Sequence, residues 1–502
     1  MAAAMSELKE RLAEIADLSH AGAVLHWDQN VMMPGKGASQ RGEALATLAR
    51  IEHDRFIAAD TGRLLEAAAS ELRGVPEDSD EARLVSKTQR DYDKARRVPS
   101  ALAAELAKAA SLGYEAWVAA RSADDFTMFA PYLQRNLDLT RQYVDCFDEY
   151  DSPYDVLLDD YEPGGTSVHV RALFDELKAE LVPLIARLRE REVDPSPLHV
   201  AYPIAGQRRL ADEVLRRMGY SDDVWRFDDT VHPFATSFGR DDVRITTRFE
   251  DDYFPTGLYG AMHECGHGLY EQGVAQELQR TPLSHPPSLA LHESQSRMWE
   301  NFVGRGREFN AFLYPRLVEL SDGALDGVPA DALFRALNAV KPSLIRIEAD
   351  ETTYSMHIVL RFELEQELLN GELTLSDLPE AWNSRMRDYL GIEVPSDADG
   401  VMQDVHWSAG LIGYFPTYAL GNLIAGQLWE KIKQDLPDLD SQIAAGELGG
   451  LREWLRENVH RHGGKFSSRE LLERVVGEPI AVAPFIRHLK AKLSDVYEFP
   501  LA

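Results

Sequence analysis

Residues 258–273 read LYGAMHECGHGLYEQG, and this stretch decides how the chemical centre of the chain is built. We predict a helix that runs to Glu271 and ends near Gly273, because glycine commonly follows the last turn of a helix. His263 and His267 are four residues apart, so their side chains project from one face of that helix. Two imidazoles in this arrangement lie close enough to bind a single metal ion.

The residues between the two histidines have different expected roles. Glu264 sits beside the ion and can take a proton from water there, as the general base of a hydrolase does. A bound Zn²⁺ lowers the pKa of such water to about 7, so hydroxide becomes available at neutral pH. Cys265 falls on a different face of the helix, and we expect it to be a buried small residue and not a ligand.

A third ligand is expected from a second helix. Glu271 is in phase with His267, but the rise from His263 to Glu271 is about 12 Å, too far to share one ion. Glu293, in the segment HESQS at residues 292–296, would complete a His₂Glu set and leave a fourth position open for water. His292 would point about 100° away on that helix, so we expect it to pack or to support a ligand.

The remaining pattern predicts a mostly helical protein with a small sheet. Residues 242–248 (DVRITTR) contain β-branched residues in partial alternation and predict a strand directly before the histidine helix. No stretch has the composition of a flexible linker, and there is no internal repeat. Helical periodicity is expected near the N-terminus and around residues 97–121, 170–190, 329–340, 343–370, 416–434 and 480–496.

Composition excludes several classes of protein. The chain has 502 residues, of which 44% are hydrophobic, so it can bury a large core. With 53 Lys and Arg against 83 Asp and Glu, the formal charge is -30, which argues against a nucleic-acid partner. The chain contains no run of about 18 uncharged apolar residues, so we predict no membrane span. Two cysteines, Cys146 and Cys265, and an N-terminus without signal-peptide features favour the cytoplasm.

Several motifs together resemble one family, the carboxypeptidase Taq family of zinc metallocarboxypeptidases. The strongest are GAMHECGHGLYEQG at residues 260–273 and HESQSRMWEN at residues 292–301. Residues 242–246 (DVRIT) match the DxRxT element of that family, 345–350 (IRIEAD) match IRxxAD, and 400–407 (GVMQDVHW) match GxxQDxHW. The segments 25–29, 152–164 and 413–418 (GYFPTY) are also similar, so the likeness covers most of the chain.

The resemblance implies a set of functional residues. His263, His267 and Glu293 would bind zinc, with cobalt as the alternative metal, and Glu264 would be the general base. His406 and Tyr414 would stabilise the developing oxyanion. Arg346 and Arg244 would bind the free C-terminal carboxylate of the peptide, because a planar guanidinium can donate to both carboxylate oxygens.

Neighbouring residues are expected to support these groups. Asp242, Asp350 and Asp404 would orient their neighbours through hydrogen bonds. For Glu300 two alternatives stay open, support of a ligand histidine or a solvated helix position. The tryptophans Trp27, Trp299 and Trp407 are expected in the core.

The resemblance also implies an architecture and a reaction. Residues 1–502 would form a single catalytic domain, mostly α, with two helical lobes around a deep substrate groove and a small β-sheet near the zinc site. The enzyme would be a homodimer that releases single amino acids with broad specificity from peptides with a free C-terminus. One alternative is a zinc oligoendopeptidase or dipeptidyl carboxypeptidase. Another is a non-catalytic helical scaffold, against which the intact Glu264 argues.

Overall fold

The structure is a computed structural model that describes residues 3–501. The chain divides into two compact units, and each is assembled from three separate stretches. The first unit comprises Met1–Arg96, Pro195–Leu337 and Gln427–Pro479, and the second comprises Arg97–Asp194, Asn338–Gly426 and Ile480–Ala502. Both units are predominantly helical, which confirms the expected fold class.

The first unit contains most of the helices and a small sheet. Its helices are α1 (Ala3–Val31), α2 (Ala38–Phe56), α3 (Ala59–Glu71), α4 (Asp80–Arg97), α9 (Ile204–Met218), α10 (Pro255–Gly273), α11 (Leu289–Arg297), α12 (Arg307–Leu320), α13 (Ala330–Leu337), α17 (Leu439–Ala444), α18 (Gly449–Asn458) and α19 (Ser468–Val475). A π-helical segment, Met298–Gly304, directly follows α11. The strands are β1 (Trp225–Asp229), β2 (Ala235–Ser237) and β3 (Val243–Thr247).

The sheet has the order β1-β3-β2, with β3 in the centre. Strand β1 pairs with β3 in parallel, with Trp225 opposite Val243, and β2 pairs with β3 antiparallel. The central strand is largely buried, as its β-branched composition predicts. It coincides with the strand expected from residues 242–248.

Helix α10 packs directly on this sheet. Gly268 makes the close approach possible, because a Cβ atom there would collide with the Trp225 ring and lie 2.8 Å from Val243. At the start of the helix, the Thr247 hydroxyl donates to the carbonyl of Gly257 at 2.9 Å. The sheet therefore fixes the helix that carries the two histidines.

The second unit is built around a nearly fully buried helix. Its elements are α5 (Ser100–Ala123), α6 (Phe126–Val144), α7 (Pro153–Leu158), α8 (Ser167–Leu188), α14 (Tyr354–Asn370), α15 (Leu378–Leu390) and α20 (Ala483–Val496). The division between the units falls within α16 (Pro416–Asp435). Helix α14 buries almost all of its side chains, including the charged Arg361, Glu363 and Glu365, each of which has hydrogen-bond partners.

One helical prediction is wrong over part of its length. The run expected at residues 343–370 becomes helical only at Tyr354, after a single 3₁₀ turn at Arg346–Glu348. The Asp350 carboxylate accepts the backbone N–H groups of Thr352 and Thr353, at 2.9 and 3.1 Å, and thereby holds the turn that precedes the helix. Among the helices of residues 3–501, none is both long and apolar enough for a membrane crossing.

Candidate metal and substrate sites

Helix α10 presents His263 and His267 side by side, with ring centroids 5.0 Å apart. The predicted helix is confirmed and extends from Pro255 to Gly273. Cys265 is fully buried, as its position on a different face predicts. The pattern of residues 258–273 thus places both imidazoles on one face, and the third donor must come from another element.

Helix α11 supplies that donor because it approaches α10 very closely. At Gly266 an added Cβ would lie 2.7 Å from both the carbonyl oxygen of Gln295 and the Cα of Ser296. The N-terminus of α11 is fixed by Ser288, whose hydroxyl accepts the N–H of Leu291 at 3.1 Å. This close contact of two helix backbones brings Glu293 to the histidines.

The three side chains converge on a common point. Oε2 of Glu293 lies 3.6 Å from Nε2 of His263 and 3.4 Å from Nε2 of His267. Donors about 2.0–2.2 Å from a tetrahedral ion lie roughly 3.3–3.6 Å apart, so these two distances fit a shared divalent metal ion. No other three His, Cys, Asp or Glu side chains within residues 3–501 bring their ligand atoms within 4.8 Å of one another.

Glu300 holds the first of the two imidazoles. Its Oε2 lies 2.9 Å from Nδ1 of His263. Burial alone would raise the pKa of Glu300, but the charge of Arg297 and the His263 contact outweigh it and lower that pKa to about 2. Because the ionised carboxylate only accepts, Nδ1 of His263 carries a proton, which leaves Nε2 as the nitrogen that can bind a metal ion. Of the two alternatives for Glu300, the structure shows contact with a histidine and not a solvated helix position.

His267 is held differently. Its ring stacks on His292 with centroids 4.2 Å apart, and Nε2 of His292 lies 3.5 Å from Oε1 of Glu271. Burial and the neighbouring His292 lower the pKa of His267 to about 3, so its imidazole is neutral at pH 7. His292 is therefore a packing partner and not a member of the converging trio, as its helical phase predicts.

Glu264 is buried next to this trio. Its residue exposure is 7%, and burial raises its pKa to about 7, against the opposing charge of His263. Such a carboxyl group exchanges a proton easily near neutral pH, which suits a general base.

Arg244 lies in the same unit, on β3. Asp242 accepts from its Nε and Nη2 at 3.0 Å each, and its guanidinium is sandwiched between the rings of Trp27 and Phe238, 4.3 and 4.7 Å from their centroids. The hydrogen bonds expected between Asp242 and a neighbouring residue are present. Trp27 is buried, as expected, and it packs against this arginine.

Three other residues predicted for the site lie in the second unit, namely Arg346, His406 and Tyr414. Arg346 contacts Asp404. Arg346 donates from Nε and Nη2 to Oδ1 of Asp404, at 3.0 and 2.8 Å, and Arg361 donates to Oδ2 at 2.7 Å. The two guanidinium groups outweigh the effect of burial and hold the pKa of Asp404 well below its usual range. Arg346 is only 6% exposed and does not pair with its sequence neighbours.

His406 and Tyr414 lie in this second cluster. Their rings are 5.3 Å apart between centroids, and Nδ1 of His406 lies 3.9 Å from Oδ1 of Asp404. The sequence did not point to Tyr418, whose hydroxyl lies 3.4 Å from Nε2 of His406. Its place in the segment GYFPTY at residues 413–418, together with Tyr414, was the available signal.

Arg297 contacts two of these carboxylates, Glu293 and Glu300, which the sequence did not predict. Its Nε donates to Oε1 of Glu293 at 2.7 Å, and its Nη1 donates to Oε2 of Glu300 at 3.3 Å. An acidic and a basic residue at i and i+4 on one helix were the signal for this contact.

Comparison with known proteins identifies the family. A family model described as carboxypeptidase Taq (M32) metallopeptidase matches residues 7–493. Thermostable carboxypeptidase 1 of Thermus thermophilus is 43% identical over 506 residues and covers 99% of each chain, and carboxypeptidase 1 of Bacillus subtilis is 36% identical over 98% of each. The crystal structure of the M32 carboxypeptidase from Deinococcus radiodurans R1 matches 99% of this chain and 100% of that one, with a TM-score of 0.96 and 38% identity.

These full-length matches explain the converging donors and the buried carboxyl group beside them. Family membership implies a divalent metal ion, and His263, His267 and Glu293 form a donor set that fits one. The chain belongs to the carboxypeptidase Taq (M32) family of metallopeptidases and is a metallocarboxypeptidase, a peptide hydrolase.

Proposed function

We propose that the metal is zinc and that His263, His267 and Glu293 bind it. The observation that carries this proposal is the convergence of one nitrogen from each histidine and one carboxylate oxygen within 4.8 Å of one another. Three protein donors of this kind leave a coordination position for water or substrate, as catalytic zinc sites do. When bound, such an ion supplies Lewis acidity, which polarises the scissile carbonyl and makes water more acidic.

Glu264 acts as the general base in this proposal. It takes a proton from the attacking water and passes it to the amine of the leaving amino acid. Its burial supports this role, because a carboxyl group with a pKa of about 7 both accepts and releases a proton near neutral pH. Glu293 differs in function although it lies close by, since its pKa is held well below 4.5, chiefly by Arg297 against the effect of burial.

Arg346 binds the C-terminal carboxylate of the peptide. Its hydrogen bonds to Asp404 and to the hydroxyl of Tyr354, the latter at 3.0 Å, use three of its five N–H groups. Each terminal nitrogen carries two N–H groups, so Nη1 and Nη2 can also donate to a carboxylate of the substrate. Arg244, oriented by Asp242, is the second candidate for the same carboxylate.

His406 and Tyr414 donate to the oxyanion that develops on the scissile carbonyl. Burial lowers the pKa of His406 to about 4, against the opposing charge of Asp404, so the imidazole is neutral at pH 7 and carries one N–H. A neutral donor that is held in place needs no reorganisation when negative charge develops.

We propose broad side-chain specificity, release of one amino acid at a time, and a homodimer that works in the cytoplasm. The two cysteines, Cys146 and Cys265, are both free thiols, which supports a reducing compartment. Light scattering of the purified protein tests the dimer.

Time-resolved mass spectrometry of a mixed peptide pool tests the reaction. Each peptide is supplied as a free acid and as a C-terminal amide, with and without a chelator. We expect a ladder of single-residue losses from the C-terminus of the free acids only, which the chelator abolishes and added zinc restores. Equal cleavage of acids and amides would contradict the assignment of Arg346 and Arg244.

A further inference from the structure

Arg297 lies one helical turn after Glu293 and is largely buried, with 13% of its side chain exposed. It is the last residue of α11, and the π-helical segment begins directly after it. Its guanidinium contacts two carboxylates at once, Glu293 through Nε and Glu300 through Nη1. One of these carboxylates is a proposed metal ligand, and the other holds the ring of a second ligand.

The two oxygens of Glu293 have different surroundings because of this arginine. Oε1 accepts from Nε of Arg297 at 2.7 Å, whereas Oε2 faces the Nε2 atoms of the histidines and accepts from the Ser296 hydroxyl at 3.0 Å. A carboxylate whose one oxygen is engaged by a guanidinium presents the other to a metal ion. Glu293 is thus set up as a donor through a single oxygen.

The other carboxylate, Glu300, is tied to the same arginine and to the first histidine. Its Oε2 accepts from both Nδ1 of His263 and Nη1 of Arg297, and its Oε1 accepts from Nη2 of Arg305 at 3.4 Å. Arg305 reaches Glu300 because the π turn also joins its backbone N–H to the Glu300 carbonyl, five residues earlier, at 3.1 Å. The fixed geometry of the π segment thus holds Glu300 where Arg297 and His263 meet it.

We propose that Arg297 is a positioning residue, which selects Oε2 of Glu293 as the only donor oxygen and, through Glu300, fixes the orientation of the His263 ring. In this role it sets the affinity for the metal ion and the number of its ligands. The inference rests on the proposed ligand set of His263, His267 and Glu293. A merely structural ion pair would stabilise α11 without influencing the ion.

The test compares Arg297→Lys with the wild-type full chain, each loaded with Co²⁺. A lysine keeps the positive charge but loses the planar fork that spans both carboxylates. We expect metal affinity, measured by competition with a chromophoric chelator, to fall about 10- to 100-fold. The visible absorption of the bound Co²⁺ should also weaken, since a second carboxylate oxygen that joins the ion raises its coordination number.

Two further variants separate the possible outcomes. Arg316→Lys is the matched control, because Arg316 pairs with Glu213 through two hydrogen bonds elsewhere in the same unit, and it should alter neither affinity nor spectrum. His267→Gln tests the ligand set itself. If His267→Gln loses the ion while Arg297→Lys keeps wild-type affinity and spectrum, the role of Arg297 is overturned and the site stands. If both variants keep the ion, the ligand set is wrong.

Arg297→Gln replaces the lysine variant if circular dichroism shows that Arg297→Lys does not fold. The amide can still donate one hydrogen bond to Oε1 of Glu293, but it cannot reach both carboxylates. We expect the same direction of change in affinity and absorption. An unchanged Co²⁺ spectrum in this variant would also overturn the inference.

Discussion

Gly266 and Ser296 lie so close together that a Cβ atom at Gly266 would be 2.7 Å from the Cα of Ser296. This is a contact between two helix backbones, and no rotation of a side chain can relieve it. The spacing of α10 and α11 depends on the absence of a side chain at Gly266. The distance of Glu293 from His263 and His267 depends on that spacing.

We therefore expect Gly266→Ala to lower the free energy of unfolding by about 1–3 kcal/mol, because an overpacked contact must push the helices apart. Metal affinity should fall as well, since Glu293 moves with α11. Thermal unfolding of the metal-free protein and a chelator competition measure the two effects.

Gly22→Ala is the control for that experiment. Gly22 lies inside α1, and an added Cβ there has no atom within 4 Å, so alanine should stabilise the helix by about 0.5–1 kcal/mol. Equal behaviour of the two alanine variants would show that the α10–α11 contact tolerates a side chain.

Glu264→Gln should separate catalysis from metal binding. The variant keeps the proposed ligands His263, His267 and Glu293 but has no carboxylate to accept a proton. We expect kcat/KM to fall by about 10²–10⁴-fold at unchanged metal content. Atomic absorption of the purified variant provides the control. Full activity with a full complement of metal would exclude Glu264 as the base.

Arg346→Lys should reduce the preference for a free C-terminus. The lysine keeps a positive charge beside Asp404 but cannot offer two parallel N–H groups to a carboxylate. We expect kcat/KM for free-acid peptides to fall about 10- to 100-fold, the range for losing a hydrogen bond to a charged group, with little change for the amides. The measurement is the ratio of kcat/KM for free-acid peptides to kcat/KM for the corresponding amides.

Arg385→Lys is the matched control, because Arg385 also contacts two carboxylates of the second unit, Glu363 and Glu367. It should leave the ratio of acid to amide cleavage unchanged. If Arg346→Lys leaves the ratio unchanged too, another group binds the terminal carboxylate, and Arg244 is the next to substitute.

The sequence predicted those parts of the site that depend on local spacing. His263 and His267 share a face because they are four residues apart, and Glu293 follows from the need for a third donor on a later helix. The close packing of α11 on α10 could not be predicted from the sequence, because it depends on a contact between Gly266 and residues about 30 positions later. Arg297 was overlooked for the same reason, since its role appears only when Glu300 and His263 are placed beside it.

Arg346 shows the limit of local inference in the second unit. The sequence offers Glu348 and Asp350 as its nearest partners, whereas the observed partner is Asp404, 58 residues later. Asp350 instead accepts the backbone N–H groups of Thr352 and Thr353 and holds a turn there, so the predicted helix at residues 343–370 begins only after that turn. Periodicity reports apolar positions, and it gives no information on which polar side chain a buried arginine will meet.

Acid conditions should weaken a buried ion pair of the second unit. Glu351 accepts from Lys492 at 2.7 Å and lies 3.1 Å from Nε2 of His488, and the side chains of Glu351 and Lys492 are each 7% exposed. Burial alone would raise the pKa of Glu351, but Lys492 and His488 outweigh it and hold that pKa well below its ordinary value of 4.5. The stabilisation is therefore complete above about pH 4.5 and is lost as pH falls toward the folded-state pKa.

Glu351→Gln should accordingly destabilise the protein by about 3–5 kcal/mol at pH 7, because it removes one partner of a buried pair. The difference from wild type should shrink by about 1.4 kcal/mol for each pH unit below 4.5, as wild type loses the same contribution. Urea unfolding at about pH 7 and pH 3.5 measures this difference in stability. Glu380→Gln is the control, because the Glu380 side chain is exposed. If the difference stays constant or grows on acidification, folding does not lower the pKa of Glu351.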